Sequence, residues 1–433
     1  MSHRSNNSSD SGIQKTATLP SPEPKDDPSL LDDEALRREF IRHLAYLCNF
    51  DTAGDRVTAI VLEGSFSGPI TFWFASNISP KPGRNGEPAE VDRMRESLQE
   101  TLDMLYAMKP SDDSRPLIKA QLFAKSVEYS KKKIENYISE LKEDVKVLQS
   151  LKNAGALDLN KPDEEMLSKW LKNVLKLNDT PEVICSKAYY DWKLSGLYEV
   201  VRREARQGGA YRSYFENIRH LIGRLNHTMK AIVFLIKARD KLMLFDRPFR
   251  IQREHSPPAV PFPLPVHEMD FARITGKLIE DLADPVERHV CQAGLEKLDQ
   301  KFGLSDKLIT EGTARVWRLK VHAELILLNK IRTTNFEFAY NDRYIGYSKP
   351  ACYCCSMYMK AQHDKCEFYG HHEVAYLTWQ VPPRLDQDCL HQDAADDDIC
   401  LENMINQIGS DILEFFRDPE PGRRLVGTKE FVH

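Results

Sequence analysis

Tyr344-Ile345-Gly346-Tyr347-Ser348-Lys349-Pro350-Ala351-Cys352-Tyr353-Cys354-Cys355 opens with residues suited to a strand and closes on a C-x-x-C pair behind a proline. Thirty positions before Cys352 stands His322-Ala323-Glu324, in a stretch that also carries Val316, Trp317, Leu319, Val321, Leu325, Leu327 and Leu328. No breaker interrupts Thr313 to Ile331, so this stretch is expected to be one helix. A second helix should begin at about Cys352, with Pro350 at its start. Cysteines three apart then share one face of the first turn, and the positive end of the helix favours thiolates. One imidazole and two thiolates are a common zinc set that leaves a tetrahedral position open. We therefore expect His322, Cys352 and Cys355 to hold Zn2+. Glu324 would project beside the ion and could carry a proton between water and substrate. The plainer alternative is a structural zinc site or an inert thiol pair. Cys354 would fall on another face of the helix as a bystander, and Cys366 and Cys389 are expected to be packing residues.

This arrangement is the H-x-E…P-C-x-x-C pattern of zinc deaminases, and over about 315–382 the chain resembles the cytidine deaminase-like superfamily. It is most similar to a group of fungal and bacterial nucleic acid or nucleotide deaminases whose second motif reads Tyr-Ile-Gly-x-Ser-Lys-x-x-Cys-x-x-Cys. Gly370-His371-His372, and Trp379 with Pro382, belong to the same likeness. One departure is that Pro350 stands two residues before Cys352 instead of next to it. The resemblance implies an α/β fold, a mixed sheet with helices on both faces, and hydrolytic deamination of a base with Glu324 as proton carrier. Such cores start helix–strand–strand, the second strand ending near an asparagine that touches the substrate. Residues 34–77 supply that order and end at Ala75-Ser76-Asn77. Asn77, His371 and His372 are accordingly candidate substrate contacts. The implied partner is a nucleotide or single-stranded nucleic acid, and some relatives form dimers or tetramers, so a homo-oligomer is compatible. The rival reading is a catalytically inactive, zinc-stabilised helical scaffold.

The rest of the chain reads outward from this motif. Residues 1–30 are rich in Ser, Pro, Asp and Lys and are expected to be a disordered tail. A helix with Asp33 as N-cap should carry Leu36, Phe40, Leu44 and Leu47 on one stripe. Val57–Leu62 and Ile70–Phe74, β-branched and aromatic around a Gly/Ser turn, predict a hairpin. Residues 31–77 are thus read as the first part of a core, 78–310 as a large all-helical insertion, and 311–433 as the second part. Within the insertion Tyr214 to Leu244 has the clearest helical stripe. Pro257 to Pro265 should be a connector. Strands are expected near Tyr344, near Phe368 and from Val374 to Trp379. An acidic loop should run from Asp386 to Asp398, before a last helix at Leu401 to Phe416.

The 433 residues carry 60 Lys/Arg against 65 Asp/Glu, a net charge of −5 that excludes global polybasic character. The one biased stretch, 201–253, holds thirteen Lys/Arg and four Asp/Glu. It could track a phosphate backbone, or it could be a solvated face balanced by the acidic loop. The longest apolar run, Ala231 to Ile236, is far below the roughly 20 residues of a membrane span. The first residues lack a secretory pattern, and nine cysteines fit reduced thiols. Together these point to a cytoplasmic or nuclear location without membrane partners.

Overall fold

The computed structural model describes residues 28–417, except 53–55, 66–67, 80–87, 109–113, 158, 160, 177–178, 193–195, 207–210, 263–268, 281, 315, 363–365, 373, 377 and 384–391. Most of the expected tail therefore lies outside the described residues. Pro28–Leu30, which fall within that expected tail, form a 3-10 turn with Pro28 buried. Helix α1 (Asp33–Cys48) is capped by Asp32, not Asp33: its side chain accepts from the Ala35 N–H. Two antiparallel strands follow, β1 (Thr58–Glu63) and β2 (Ile70–Ser76), forming the expected hairpin.

The sheet divides two cores, and strand periodicity explains how. Successive side chains on a strand point to opposite faces. Ile60 and Leu62 of β1 join the core built with Leu36, Phe40 and Leu44 of α1, whereas Ala59 and Val61 join the opposite core with Leu325 and Leu328. Strand β1 is accordingly buried on both sides, as a near-continuous apolar run allows.

Between the hairpin and the His322 motif the chain is mainly helical: α2 (Ala89–Ala107), α3 (Arg115–Tyr129), α4 (Lys131–Asn153), α5 (Lys161–Leu175), α6 (Pro181–Lys187), α7 (Gly196–Glu204) and α8 (Arg212–Arg239). Helix α8 lays Ile218, Leu221, Ile222, Leu225, Met229 and Ile232 into the first core and packs on α1, α3, α4 and α7. This segment is not all-helical, however. Strand β3 (Phe249–Arg253) pairs in parallel with β2. Its Phe249 and Ile251 rest against the core while Arg250 and Gln252 are exposed, a short period-two signal beside the far longer helical stripe of α8. Within the proline-rich connector, β4 (Val260–Phe262) also forms a strand. Helices α9 (Phe271–Glu280), α10 (Pro285–Phe302) and α11 (Leu304–Ala314) follow.

The expected helix over Thr313–Ile331 is divided. Strand β5 (Trp317–Leu319) pairs with β4, and helix α12 (Ala323–Thr333) starts only after His322. No local breaker marks that division; pairing with β4 decides it. Strand β6 (Tyr344–Tyr347) lies antiparallel to β1, helix α13 (Tyr353–Ala361) follows with Cys352 as its N-cap, and β7 (Glu367–Phe368) pairs in parallel with β6. The result is a mixed five-stranded sheet, ordered β3-β2-β1-β6-β7, in an α/β protein. Val374–Trp379 form no strand among the described residues; the chain there makes isolated bridges, Lys320 with Trp379 and Ala351 with His371. Helix α14 (Gln392–Arg417) begins earlier than expected, so Asp393, Asp396, Asp397 and Asp398 belong to its first turns. Asp386 and Asp388 lie outside the described residues. Among the described residues no helix is long and apolar enough to cross a membrane, and no described cysteine is in a disulfide.

Gly346 lets α1 close on the sheet. A Cβ at this position would stand 2.7 Å from Ile41 Cγ2 and 3.3 Å from the Arg42 amide nitrogen. Gly346→Val should therefore cost about 1–3 kcal/mol in denaturant unfolding through overpacking. A second prediction concerns the buried imidazole of His43 on α1 and the half-buried one of His227 on α8, whose ring centroids lie 5.7 Å apart. His43 Nδ1 and His227 Nε2 have no hydrogen-bond partner. Burial foremost, then Arg42 and Lys230, push both pKa values well below the ordinary histidine range. Below about pH 6.5 the unfolded chain binds protons that these rings refuse, so stability falls with pH. The thermal midpoint should drop between pH 7 and pH 5, and drop less in His227→Phe.

Candidate functional site

His322 occupies the N-cap of α12, where its carbonyl accepts from the amides of Leu325 and Ile326, both at 3.0 Å. The chain enters that cap from β5, and Asn77 at the end of β2 fixes the position: its Oδ1 accepts from the Ala323 N–H at 2.7 Å. Cys352 caps α13, its sulfur accepting from the Cys355 N–H at 3.4 Å. Two helix starts thus face one another, and His322 Nδ1 lies 3.5 Å from Cys352 Sγ and 3.3 Å from Cys355 Sγ.

These three ligand atoms lie within 4.8 Å of one another, all on buried residues, and the group could hold a metal ion. A tetrahedral zinc with ordinary bond lengths would separate its nitrogen and sulfur ligands by roughly 3.5 Å, so the nitrogen–sulfur spacings fit such an ion. The donor chemistry, one imidazole and two thiols, also suits zinc. Cys354 lies outside the group and is half-buried.

The local electrostatics favour one thiolate. A hydrogen bond from Cys355, reinforced by the His322 imidazole, lowers the Cys352 thiol to about 4 despite burial. Burial pushes Cys355 well up, with Cys352 and Glu324 adding to the effect. For His322, burial opposes protonation and Lys320 adds to that opposition, but Cys352 and Glu324 prevail and raise the imidazole. Glu324 sits in the first turn of α12, 3 % exposed, and its Oε2 has no hydrogen-bond partner. Burial raises its carboxyl above the ordinary range.

A cavity of about 90 Å³ opens onto this cluster, and His322, Glu324, Cys352, Asn77 and His372 all contribute to its wall. The His372 ring is oriented by the Val374 N–H, which donates to Nδ1 at 3.2 Å, while its own backbone N–H donates to Ala351 O at 2.9 Å. His371, the neighbouring candidate, is exposed and does not line the cavity. Trp379 instead supports the His322–Cys352–Cys355 cluster directly, its indole N–H donating to Cys355 Sγ at 3.2 Å. Sequence reasoning did not single out Tyr376, Lys320 or Lys349 as site residues, yet each lines the cavity. Tyr376 stands edge-on to both His322 and His372, at 5.7 and 5.9 Å between ring centroids. Lys349 could have been found from its place in the quoted motif; Lys320 and Tyr376 carry no comparable signal.

Residues 321–383 match the model of a family described as "OTT_1508_deam:-like deaminase". The matched segment spans His322, Glu324, Cys352, Cys355, His372 and Tyr376. No curated protein and no solved structure matches the chain. The chain therefore carries a deaminase-like segment, and this segment contains the three residues that could hold a metal.

Replacing any member of the trio removes a third of the donor set. Any ion the trio holds should be lost in His322→Ala, Cys352→Ser and Cys355→Ser and kept in Cys354→Ser. Elemental analysis of the purified variants checks this.

Proposed function

We propose that the protein is a zinc-dependent hydrolytic deaminase acting on a nucleobase in a nucleotide or nucleic acid. The observation that carries this reading is the meeting of His322, Cys352 and Cys355 beside a buried carboxylate, within the segment that matches a deaminase family. In it, the sheet and the helices on its two faces form a cytidine deaminase-like core. Residues 31–77 and 311–433 are its two parts, with 78–310 inserted between them; the pairing of β1 with β6 supports that division.

His322 Nδ1, Cys352 Sγ and Cys355 Sγ would hold the zinc, which when bound supplies a Lewis acid that makes water nucleophilic near pH 7. Glu324 Oε2 takes the proton that water gives up as its oxygen bonds to the carbon bearing the amine. The same oxygen passes that proton to the adjacent ring nitrogen. Glu324 then takes the remaining proton from the new hydroxyl and gives it to the amine, whose carbon–nitrogen bond breaks to release ammonia as the hydroxyl oxygen becomes a carbonyl. Asn77, in the cavity wall, has its amide orientation fixed by the Ala323 N–H, which donates to Oδ1, and its side chain is the candidate substrate contact from β2. His372 is held with Nδ1 as acceptor, which leaves Nε2 as the donor of the neutral ring. His371 has no place in this scheme.

Glu324→Gln should retain about one zinc per chain and lower ammonia release by about 10²- to 10⁴-fold. Ammonia assayed across nucleosides, nucleotides and oligonucleotides, with zinc measured on the same sample, checks both halves. Loss of zinc in this variant would make the glutamate a ligand, and no ammonia from any substrate would leave the inactive scaffold.

A further inference from the structure

Each of the two paired cysteines receives an N–H donor, and the two donors differ in origin. Cys352 Sγ accepts from the Cys355 N–H at 3.4 Å, which the first turn of α13 supplies. Cys355 Sγ accepts from a side chain 24 residues further along, the indole N–H of Trp379, at 3.2 Å. The backbone that carries this indole is laid against Lys320, two residues before His322. Thr378 O accepts from the Lys320 N–H at 2.7 Å, and Lys320 O accepts from the Gln380 N–H at 3.0 Å. The Trp379 backbone N–H closes a turn onto Tyr376 O at 3.0 Å. On its other side the ring packs against the second core and meets Tyr358 of α13 edge-on, with 6.1 Å between centroids. The indole is thus fixed both to the approach to His322 and to the helix that follows Cys352.

We propose that Trp379 is a positioning residue of the metal centre: its indole N–H holds Cys355 Sγ in its ligand orientation and draws electron density from that sulfur. The inference rests on the reading of the trio as a metal site, not on deamination, and holds for a structural ion as well as for a catalytic one. Groups that hydrogen-bond to metal ligands orient them and tune the metal. A thiolate bound to a metal keeps lone pairs that can accept a hydrogen bond, and a sulfur so engaged donates less charge to the ion. The same segment gives Tyr376 and Thr378 to the cavity wall, so one hydrogen bond ties that wall to a ligand.

The test uses the full-length protein stripped of metal and reloaded with zinc or cobalt(II). In Trp379→Phe, zinc affinity measured by chelator competition should fall about tenfold or more. The sulfur-to-cobalt charge-transfer bands should move to lower energy, because a sulfur without its hydrogen bond gives up an electron more readily. Trp73→Phe, which removes an indole that donates to Glu63 instead, should change neither. A Trp379→Phe protein that melts earlier but keeps the parent's zinc affinity and cobalt bands would make Trp379 a packing residue and overturn the proposal. The wild-type chain gives an independent check should that variant fail to fold. With 15N-labelled tryptophan, and cadmium-113 in place of zinc, one of the five indole protons should show a coupling to the metal across the N–H···S–Cd link. No coupled indole proton in the cadmium-loaded protein overturns the proposal. A wild-type chain that takes up none of the three ions removes the metal reading and the proposal together. Uptake with these signatures but without ammonia release keeps the proposal and removes the deaminase reading.

Discussion

One hydrogen bond, from the Ala323 N–H to Asn77 Oδ1, joins the end of a strand near the start of the chain to the first turn of a helix 246 residues later. A helix start leaves its first amide groups without partners inside the helix, and this one is buried, so solvent cannot substitute. Leaving such a donor unmet costs about 1–3 kcal/mol. The asparagine thus decides where α12 begins, and where α12 begins decides where His322 and Glu324 stand. The two cysteines are set by an analogous economy: Cys352 caps its own helix, which leaves both sulfurs beside the imidazole.

The surrounding elements hold these two helix starts in register. Ser348 Oγ accepts from the Thr58 N–H at 3.0 Å and from Asn49 Nδ2 at 3.3 Å, tying the approach to α13 to the end of α1 and the start of β1. Asp342, buried just before β6, receives Arg37 and Arg38 from α1 at 3.1 and 2.9 Å. Breaking a buried pair of this kind is expensive because it leaves a charge without its partner. Tyr353 Oη donates to Asp411, joining the first turn of α13 to α14. The cluster is therefore braced by the sheet, by α1 and by the carboxyl-terminal helix.

What could be read in the sequence followed from how local each signal was. The hairpin, the stripe of α8 and the helix after Cys352 depend on neighbours within a few residues, and all three are present. The β5–α12 division was not legible, because Trp317–Leu319 become a strand only by pairing with Val260–Phe262, more than fifty residues away. Strand β3 was passed over because five alternating residues weigh little beside a 28-residue helix. At the site, spacing alone pointed to His322, Glu324, Cys352 and Cys355, which do lie together. His371 and His372 looked equivalent in sequence, but His371 forms the bridge with Ala351 and is exposed, whereas His372 lines the cavity. The basic stretch 201–253 also changes character in three dimensions. Arg203 meets Asp163 and Glu204, Arg212 meets Glu216, and Arg202 faces Glu199.

The parallel pairing of β3 with β2 has a consequence for how the chain stays dispersed. Without β3, the backbone amides and carbonyls along Ile70–Phe74 would form a bare sheet margin, and such margins recruit strands from other molecules. By returning a strand with exposed Arg250 on its outer row, the long helical excursion shields the hairpin from self-association. A trimmed chain that kept every residue around the cysteines but lost this guard would be prone to aggregate before any chemistry could be observed.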